Sequence, residues 1–366
     1  MGNWRWGVVG LGVAALVALP TIVGELPVGG SAESAATLLD RVRASASVPY
    51  SGYAQSSGGL VLPVTSQFTS LADLFGDETR IRVWWQSSTA WRVDTVNLTG
   101  ESDVHQFGTA TWTWNYEANT ATYTNAQQPV TVRLPVAGDL LPTNLGRRLL
   151  SEANRNEVSR LAARRIAGRA APGLRLRPPA GSSTISRVDL WVDGDTGLPL
   201  RVEVYGTGDD SAVLTTTFLD FSTAPPAAST VAFLPPAGAR LRSADAPDLA
   251  ALINRIGRPV LPERLAGVAR NDLLPTVGAI SLYGRGVAEF AAVPLPGRTT
   301  WSLRRQLEKT PGVVADGERL SLTIGALSVL LSPVSGDDSW LLTGTVGTDV
   351  LRRAVADLPV ESGLDR

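Results

Sequence analysis

The order of apolar and polar positions divides the chain into an apolar leader, a long region of strands and a shorter mixed region. Residues 7–24 carry no charge, and Arg5 is the only charged side chain before them. Residues 37–47 have apolar side chains at helical spacing, which predicts a short amphipathic helix. From residue 50 to 134, and again from 161 to 221, short segments alternate in polarity and are rich in Thr, Val, Trp and Tyr. This pattern predicts consecutive antiparallel strands.

Breaks in the strand pattern mark the limits of this first unit. A helical pattern interrupts the strands at residues 144–163. Residues 193–197, with the sequence Asp-Gly-Asp-Thr-Gly, predict a hairpin turn between two of the later strands. Pairs of prolines follow at 225–226 and 235–236, and proline cannot donate a hydrogen bond to a strand ladder. We therefore expect the sheet to stop near residue 238.

The C-terminal region mixes helix and strand patterns. Helical patterns at 248–256 and 262–269 precede a strand pair, a further helix, three strands and a final helix. This order predicts a small α+β domain. The predicted organisation is a targeting segment at 1–32, a first domain at 33–240 and a C-terminal domain at 245–360.

The leader has two alternative interpretations. A helix over its uncharged run, at 1.5 Å per residue, is about 27 Å long, close to the minimum for crossing a bilayer. The leader is either a signal peptide cut after Ala32, or an uncleaved anchor with Trp4 and Trp6 at the membrane interface. Both alternatives predict an extracytoplasmic body, held at the cell membrane or released after cleavage.

Composition excludes several kinds of chemistry. The formal net charge is −1, from 33 Lys and Arg against 34 Asp and Glu, so the basic excess of a nucleic-acid surface is absent. The chain has no Cys and 1 His, which removes disulfides, thiol nucleophiles, most hydrolytic triads and most zinc sites. We expect a protein that is not an enzyme and uses no cofactor or metal.

Three polar features are weighed as sites, and the first two are set aside. His105 lies in a predicted strand with no acidic cluster near it in the pattern, so we expect it to be structural. Asp193 and Asp195 fit turn chemistry, because their spacing lacks the distal Glu of a calcium loop. Arginines are dense from 147 to 177. Either they form a solvated surface, or they contact anionic lipid head groups or an acidic partner.

Four stretches of the first unit together have the arrangement of a known family. They are the helix that leads into residues 50–52, the strand pair 82–85 with 91–94, the aromatic strand 111–116, and the hairpin at 191–201 with its continuation at 218–220 and 233–238. In this arrangement the unit resembles the LolA-like superfamily, which includes the periplasmic lipoprotein carrier LolA and the anti-sigma regulator RseB, also called MucB.

The resemblance implies an α+β fold in which an open antiparallel half-barrel, capped by helices, holds acyl chains in an apolar pocket. Alternate residues of a strand lie on one face of a sheet, so Trp112, Trp114 and Tyr116 are expected to point the same way. Core packing explains any single aromatic better than a ligand wall does, whereas for the row the two explanations are equally good, so the pocket hypothesis rests on the row. The candidate pocket residues are Trp84, Trp91, Trp112, Trp114, Tyr116 and Trp191.

Two binding functions and one enzymatic function are compared. The main hypothesis is sequestration of an acyl chain from a lipid or lipoprotein, since each buried methylene contributes about 0.8 kcal/mol. The alternative is an RseB-like regulator with a filled core, whose two domains bind an envelope protein or anti-sigma factor. An enzyme with paired carboxylates is the third, and no motif supports it. The expected partners are an acyl chain, an envelope protein and the membrane surface, with no nucleic acid.

Overall fold

Two sheets organise the chain, and helices cover parts of each. The computed structural model describes residues 33–58, 78–97, 100–125, 135–244, 261–271, 280–334 and 339–359. The leader and the predicted helix at 248–256 lie outside the described residues, as does the end of the first strand region at 130–134. None of the described helices combines the length and the hydropathy needed to cross a membrane.

The helices are few and short. They are α1 Ala35–Ala44, α2 Pro142–Leu150, α3 Ala228–Val231, α4 Gly297–Leu307 and α5 Thr348–Ala356. The Ser34 hydroxyl caps α1 by accepting a hydrogen bond from the Thr37 amide at 3.1 Å. The predicted helix at 144–163 is too long, because α2 ends at Leu150 and a strand begins at Val158.

The first sheet contains the strands β1 Tyr50–Gly58, β2 Thr79–Ser87, β3 Ala90–Asn97, β4 Gly100–Phe107, β5 Ala110–Asn115, β6 Thr120–Asn125, β7 Val158–Ile166, β8 Arg169–Leu176, β9 Ile185–Val192, β10 Pro199–Gly206, β11 Ala212–Ser222 and β12 Arg240–Ala244. Its order is β12-β6-β5-β4-β3-β2-β1-β11-β10-β9-β8-β7, and the two ends do not pair with each other. This large open sheet, antiparallel except at one edge, confirms the predicted fold class.

The expectation that the sheet stops near residue 238 is wrong. The prolines end the antiparallel run, but the chain then turns at Gly238, which has a φ of 80°. The Arg240 amide donates to the Asn119 carbonyl at 2.9 Å, and β12 continues parallel to β6 as a new edge strand. Proline is excluded only from the ladder, so it does not prevent the chain from rejoining the sheet further on.

The second sheet contains the remaining described strands apart from a short hairpin. Its strands are β15 Ser281–Arg285, β16 Ala288–Leu295, β17 Val314–Asp316, β18 Arg319–Ile324, β19 Leu327–Leu331 and β20 Ser339–Gly344, in the order β15-β16-β20-β19-β18-β17. Leu351 and Ala354 of α5 pack on this sheet against Phe290 and Trp340. A second, smaller α+β unit is therefore present, as the sequence predicts.

The predicted helix at 262–269 is also wrong. The segment forms a hairpin of β13 Arg264–Leu265 and β14 Val268–Ala269. Ala266 and Gly267 between them have φ values of 51° and 77°, which a right-handed helix does not allow. Two consecutive left-handed residues form the tight turn that joins short antiparallel strands.

Side chains fill the space between the first sheet and its helices. The Tyr50 hydroxyl lies 2.7 Å from the Thr143 hydroxyl of α2, and burial raises the pKa of Tyr50 to about 12. The Tyr50 ring packs on Phe218 and Phe221, with ring centroids 6.0 Å apart in both cases. We call the side of the first sheet that bears Tyr50, Phe218 and Phe221 the helix face. Among the described residues, the helix face is a packed core.

Gly197 holds the turn between β9 and β10 against α1. Its φ is 78°, and a Cβ placed there would lie 2.7 Å from the Arg41 carbonyl oxygen. Gly197→Ala is therefore expected to lower the free energy of unfolding by about 2 kcal/mol, from left-handed strain and a backbone clash. Urea unfolding measures the change. Gly181→Ala, with a φ of 74° and open space around its Cβ position, isolates the strain. Equal losses in the two variants would contradict the clash.

Candidate functional site

The strand register divides the predicted pocket residues between two faces. Paired residues of antiparallel strands lie on the same face. Tyr50 pairs with Trp85, which pairs with Trp91, so Trp91 lies on the helix face. The Trp85 and Trp91 rings stack there at 6.1 Å.

Trp84 and the Trp112 row lie on the opposite face. Trp84 pairs with Arg92, Arg92 with His105, and His105 with Trp112. The Phe233 ring, which follows α3, packs on this face, 5.5 Å from Trp112 between centroids. We call it the Phe233 face. The predicted pocket residues are therefore not brought together in one site.

The remaining predicted pocket residues differ in how far they are exposed. Trp114 is buried, with its ring 5.5 Å from that of Tyr116, and the Tyr116 side chain is 48% exposed. Trp191 is buried elsewhere in the sheet, where its indole N–H donates to the Ala162 carbonyl at 3.1 Å and the Arg164 guanidinium lies 4.0 Å from its ring. These surroundings give Trp191 a packing role.

Several arginines of the dense 147–177 stretch have acidic partners within the chain. Arg175 binds Asp189 through two hydrogen bonds of 2.6 Å. Arg169 pairs with Asp193 in the β9–β10 turn, and the same carboxylate accepts from the Thr196 amide at 3.0 Å. These contacts show the turn chemistry expected for Asp193. Contact of the stretch with membrane head groups remains a prediction.

Residues of both sheets meet at a junction that sequence reasoning did not identify. Val287, in the turn between β15 and β16, and Ala326, between β18 and β19, are buried in the core of the first sheet. The Thr184 amide donates to the Thr345 carbonyl at 2.9 Å, and the Thr184 hydroxyl donates to the Ala326 carbonyl at 2.5 Å. The turns of the second sheet thus complete the core of the first.

Two adjacent cavities lie at this junction. Their volumes are about 180 and 230 Å³, and Leu149, Gly286 and Val287 line both. Leu176 lines the smaller cavity and Phe290 the larger. Pockets for drug-sized ligands usually measure about 300–1,000 Å³. Each cavity is thus closer in size to one side chain than to a long acyl chain.

Charges of both signs stand beside the larger cavity. Arg148 of α2 donates to Glu289 Oε1 of β16 at 2.9 Å. Glu289 Oε2 is buried and has no hydrogen-bond partner among the described residues. Burial raises the pKa of Glu289 above its ordinary value of 4.5, and Arg148 opposes this effect. An ionised Glu289 therefore has one oxygen available for a cationic group.

The raised pKa of Glu289 predicts how stability depends on pH. The folded state holds this proton more tightly than the unfolded state, so the ionised carboxylate destabilises the fold above about pH 4.5. Glu289→Gln is expected to be more stable than the natural protein at neutral pH, since the exposed Arg148 partner contributes little. The difference should vanish as the pH falls to about 4.5. Urea unfolding across this range tests it, and a variant less stable at neutral pH would contradict the assignment.

A group able to hold a metal lies on the Phe233 face. Asp94, Asp103 and His105 are buried, and their ligand atoms lie within 4.8 Å of one another. Burial and the nearby Asp94 charge raise the pKa of Asp103 to about 6, while burial lowers the pKa of His105. The expectation that no acidic cluster stands near His105 is wrong. Asp94 belongs to β3, the strand before that of His105. The pairing of β3 with β4 places Asp94 beside Asp103 and His105.

These features define an open-sheet protein with a filled helix face and a second sheet docked beside it. Residues 108–235 match the family model described as the MucB/RseB N-terminal domain. The match includes β5 to β11, and it confirms the predicted resemblance to the LolA-like and RseB/MucB superfamily. No curated protein matches the chain.

Several solved structures match the chain at low sequence identity. MucB in a crystal structure with MucA(peri) is 17% identical, covering 89% of this chain and 98% of that chain, with a TM-score of 0.48. The Pseudomonas aeruginosa MucA/MucB complex is 18% identical over 88% and 96%, with a TM-score of 0.49. The LolA superfamily protein NE2245 from Nitrosomonas europaea is 12% identical over 55% and 99%, with a TM-score of 0.25.

Proposed function

We propose that this chain is an exported, non-enzymatic regulator that binds a segment of an envelope protein, such as an anti-sigma factor, at the junction of its two sheets. The observation that carries this proposal is the position of the two cavities. Both lie between the sheets, with Leu149 and Val287 in their walls. The match of residues 108–235 to the MucB/RseB domain supports a binding role and an extracytoplasmic location.

The filled helix face favours protein binding over acyl-chain sequestration. An acyl carrier needs an empty apolar space under its helical cap, but Tyr50, Phe218 and Leu141 occupy that position here. The junction cavities are small and apolar, with Glu289 in the wall of one. Such a surface fits successive side chains of an extended peptide, in which a basic residue pairs with the free Glu289 oxygen.

Crosslinking of intact membranes tests this function. The full chain is crosslinked, purified and compared with Glu289→Arg, whose charge repels a basic partner residue. Asp316→Arg is the matched control, since its carboxylate is exposed on the same sheet. One envelope protein should be recovered with the natural protein and the control, and lost with Glu289→Arg. Equal recovery with all three proteins would contradict binding at the junction.

Acyl-chain binding is proposed as the second function, because Trp112 and Trp114 of the predicted aromatic row lie on the same face of the first sheet. Native mass spectrometry of the delipidated full chain, offered a membrane lipid extract, tests it. A stoichiometric lipid that is lost when Trp112 and Trp114 become alanine would support an acyl-chain site at the aromatic row. An empty protein would leave protein binding as the function.

A further inference from the structure

The strand register assembles a nitrogen ligand and two oxygen ligands on the Phe233 face. Asp94 of β3 pairs directly with Asp103 of β4. His105 is two residues further along β4, so its side chain lies on the same face. The three residues are 0%, 2% and 3% exposed, so the group lies beneath the surface.

His105 is held in the orientation that metal-binding histidines adopt. Its Nδ1 lies 3.1 Å from the Val231 carbonyl oxygen, which can only accept, so Nδ1 carries the proton. The lone pair of a neutral ring is then on Nε2. Metal-ligating histidines commonly donate their other ring N–H to a backbone carbonyl in this way. The Phe233 ring, 4.8 Å from the imidazole, fixes the plane of the ring.

The two carboxylates have more negative charge than their neighbour neutralises. Arg92 binds Asp94 at 2.6 and 2.8 Å and Oδ2 of Asp103 at 3.0 Å. Oδ1 of Asp103 is buried and has no hydrogen bond of ordinary length among the described residues, although the Tyr116 hydroxyl also interacts with this carboxylate. One guanidinium beside two carboxylates leaves a net negative charge in a buried place, and such a charge is costly without a further cation.

We propose that Asp94, Asp103 and His105 bind a divalent transition-metal ion of the Zn²⁺ type. One imidazole nitrogen and two carboxylate oxygens suit this class, and Zn²⁺ accepts three protein ligands with a fourth position left open. Tetrahedral Zn²⁺ ligands stand about 3.4 Å apart. The ligand atoms of the three residues lie within 4.8 Å of one another, so the group is compact enough to share one ion.

Arg92 competes with the ion for the same oxygens. Its side chain is 24% exposed, and its guanidinium lies 5.0 Å from the Trp84 ring. When the ion binds, the guanidinium moves away from the carboxylates. The ion then fastens the sheet to the segment with Val231 and Phe233, because His105 contacts both.

Metal titration of the full chain in mild detergent tests the proposal. After chelator treatment, calorimetry with Zn²⁺ and visible absorption with Co²⁺ should both report one ion per chain. Asp103→Asn and His105→Gln should each weaken Zn²⁺ binding by more than about 10–100-fold. That range is the usual loss when the residue removed contacts a metal ligand and not the metal itself. Arg92→Gln should bind more tightly, an effect that a purely structural role for Arg92 does not predict.

Two controls separate this site from general effects. Asp189→Asn removes another buried carboxylate that Arg175 binds through two hydrogen bonds, but no imidazole lies in that pair, so Zn²⁺ affinity should not change. His105 is the only imidazole of the chain, so nitrogen NMR of the natural protein follows it without any variant. Resonances of Nε2 that do not respond to saturating Zn²⁺, or binding that survives His105→Gln, would overturn the proposal.

Discussion

Phe218→Ala is expected to lower the free energy of unfolding by about 3–5 kcal/mol, the range for truncating a fully buried aromatic. Phe218 is 1% exposed on the helix face, with its ring centroid 5.0 Å from that of Phe221 and 6.0 Å from that of Tyr50. Truncation leaves a cavity that this neighbourhood fills only in part. Urea unfolding of the full chain measures the loss.

Leu219 is the matched control for Phe218, because it follows directly in β11 and is 50% exposed. Leu219→Ala should change stability by less than about 0.5 kcal/mol. Comparing the two variants also distinguishes a role of Phe218 in the core from a role in the wall of a ligand pocket. If Phe218 lined an open acyl pocket, its truncation would alter lipid uptake and cost little stability. That outcome would contradict the filled helix face.

Val287→Asp is expected to cost about 3 kcal/mol or more, since it places a carboxylate in an apolar core. Val287 is 7% exposed and packs with Leu38 and Leu190 of the first unit, although it belongs to the second sheet. The substitution should weaken the contacts that make the two units unfold together. We expect one cooperative unfolding transition in the natural protein and two in the variant.

Val314→Asp provides the comparison for that variant. Val314 lies in β17 of the same sheet and is 55% exposed, so the new carboxylate stays in water. It should unfold like the natural protein, within about 0.5 kcal/mol. A single unchanged transition in Val287→Asp would show that the turn does not couple the two units.

Local polarity predicts the positions of the strands well, but it predicts less well which face of the sheet each side chain occupies. Alternation in β2 and β3 is clear in the sequence, but Trp84 and Trp85 are neighbours and lie on opposite faces. Which of them faces the helices depends on how β1 pairs with β2. That register involves residues distant in sequence, and composition contains no signal for it.

The Asp94–Asp103–His105 group was missed for a similar reason, although a signal existed. Asn97 pairs with Gly100, so a two-residue connection joins β3 to β4. Counting back from that connection places Asp94 opposite Asp103. A sequence search for metal ligands at helical or loop spacing does not detect residues that meet only across a hairpin.

The junction could not be predicted, because it depends on contacts between the two units. Val287 follows Gly286 in a tight turn, and turns of this kind usually lie at the surface. Its side chain is buried in the core of the first sheet, and the Ser183 hydroxyl of the first unit donates a hydrogen bond to its carbonyl. Sequence spacing contains no information about these pairings.

A photo-crosslinking residue at position 149, in the full chain within intact membranes, tests whether an envelope protein binds at the junction of the two sheets. Leu149 lines both junction cavities, and position 219 is the control because Leu219 is exposed on β11. We expect a crosslinked product with one envelope protein from position 149, no product from position 219, and loss of the product in Val287→Asp. Products with lipid alone, or the same proteins from both positions, would contradict it.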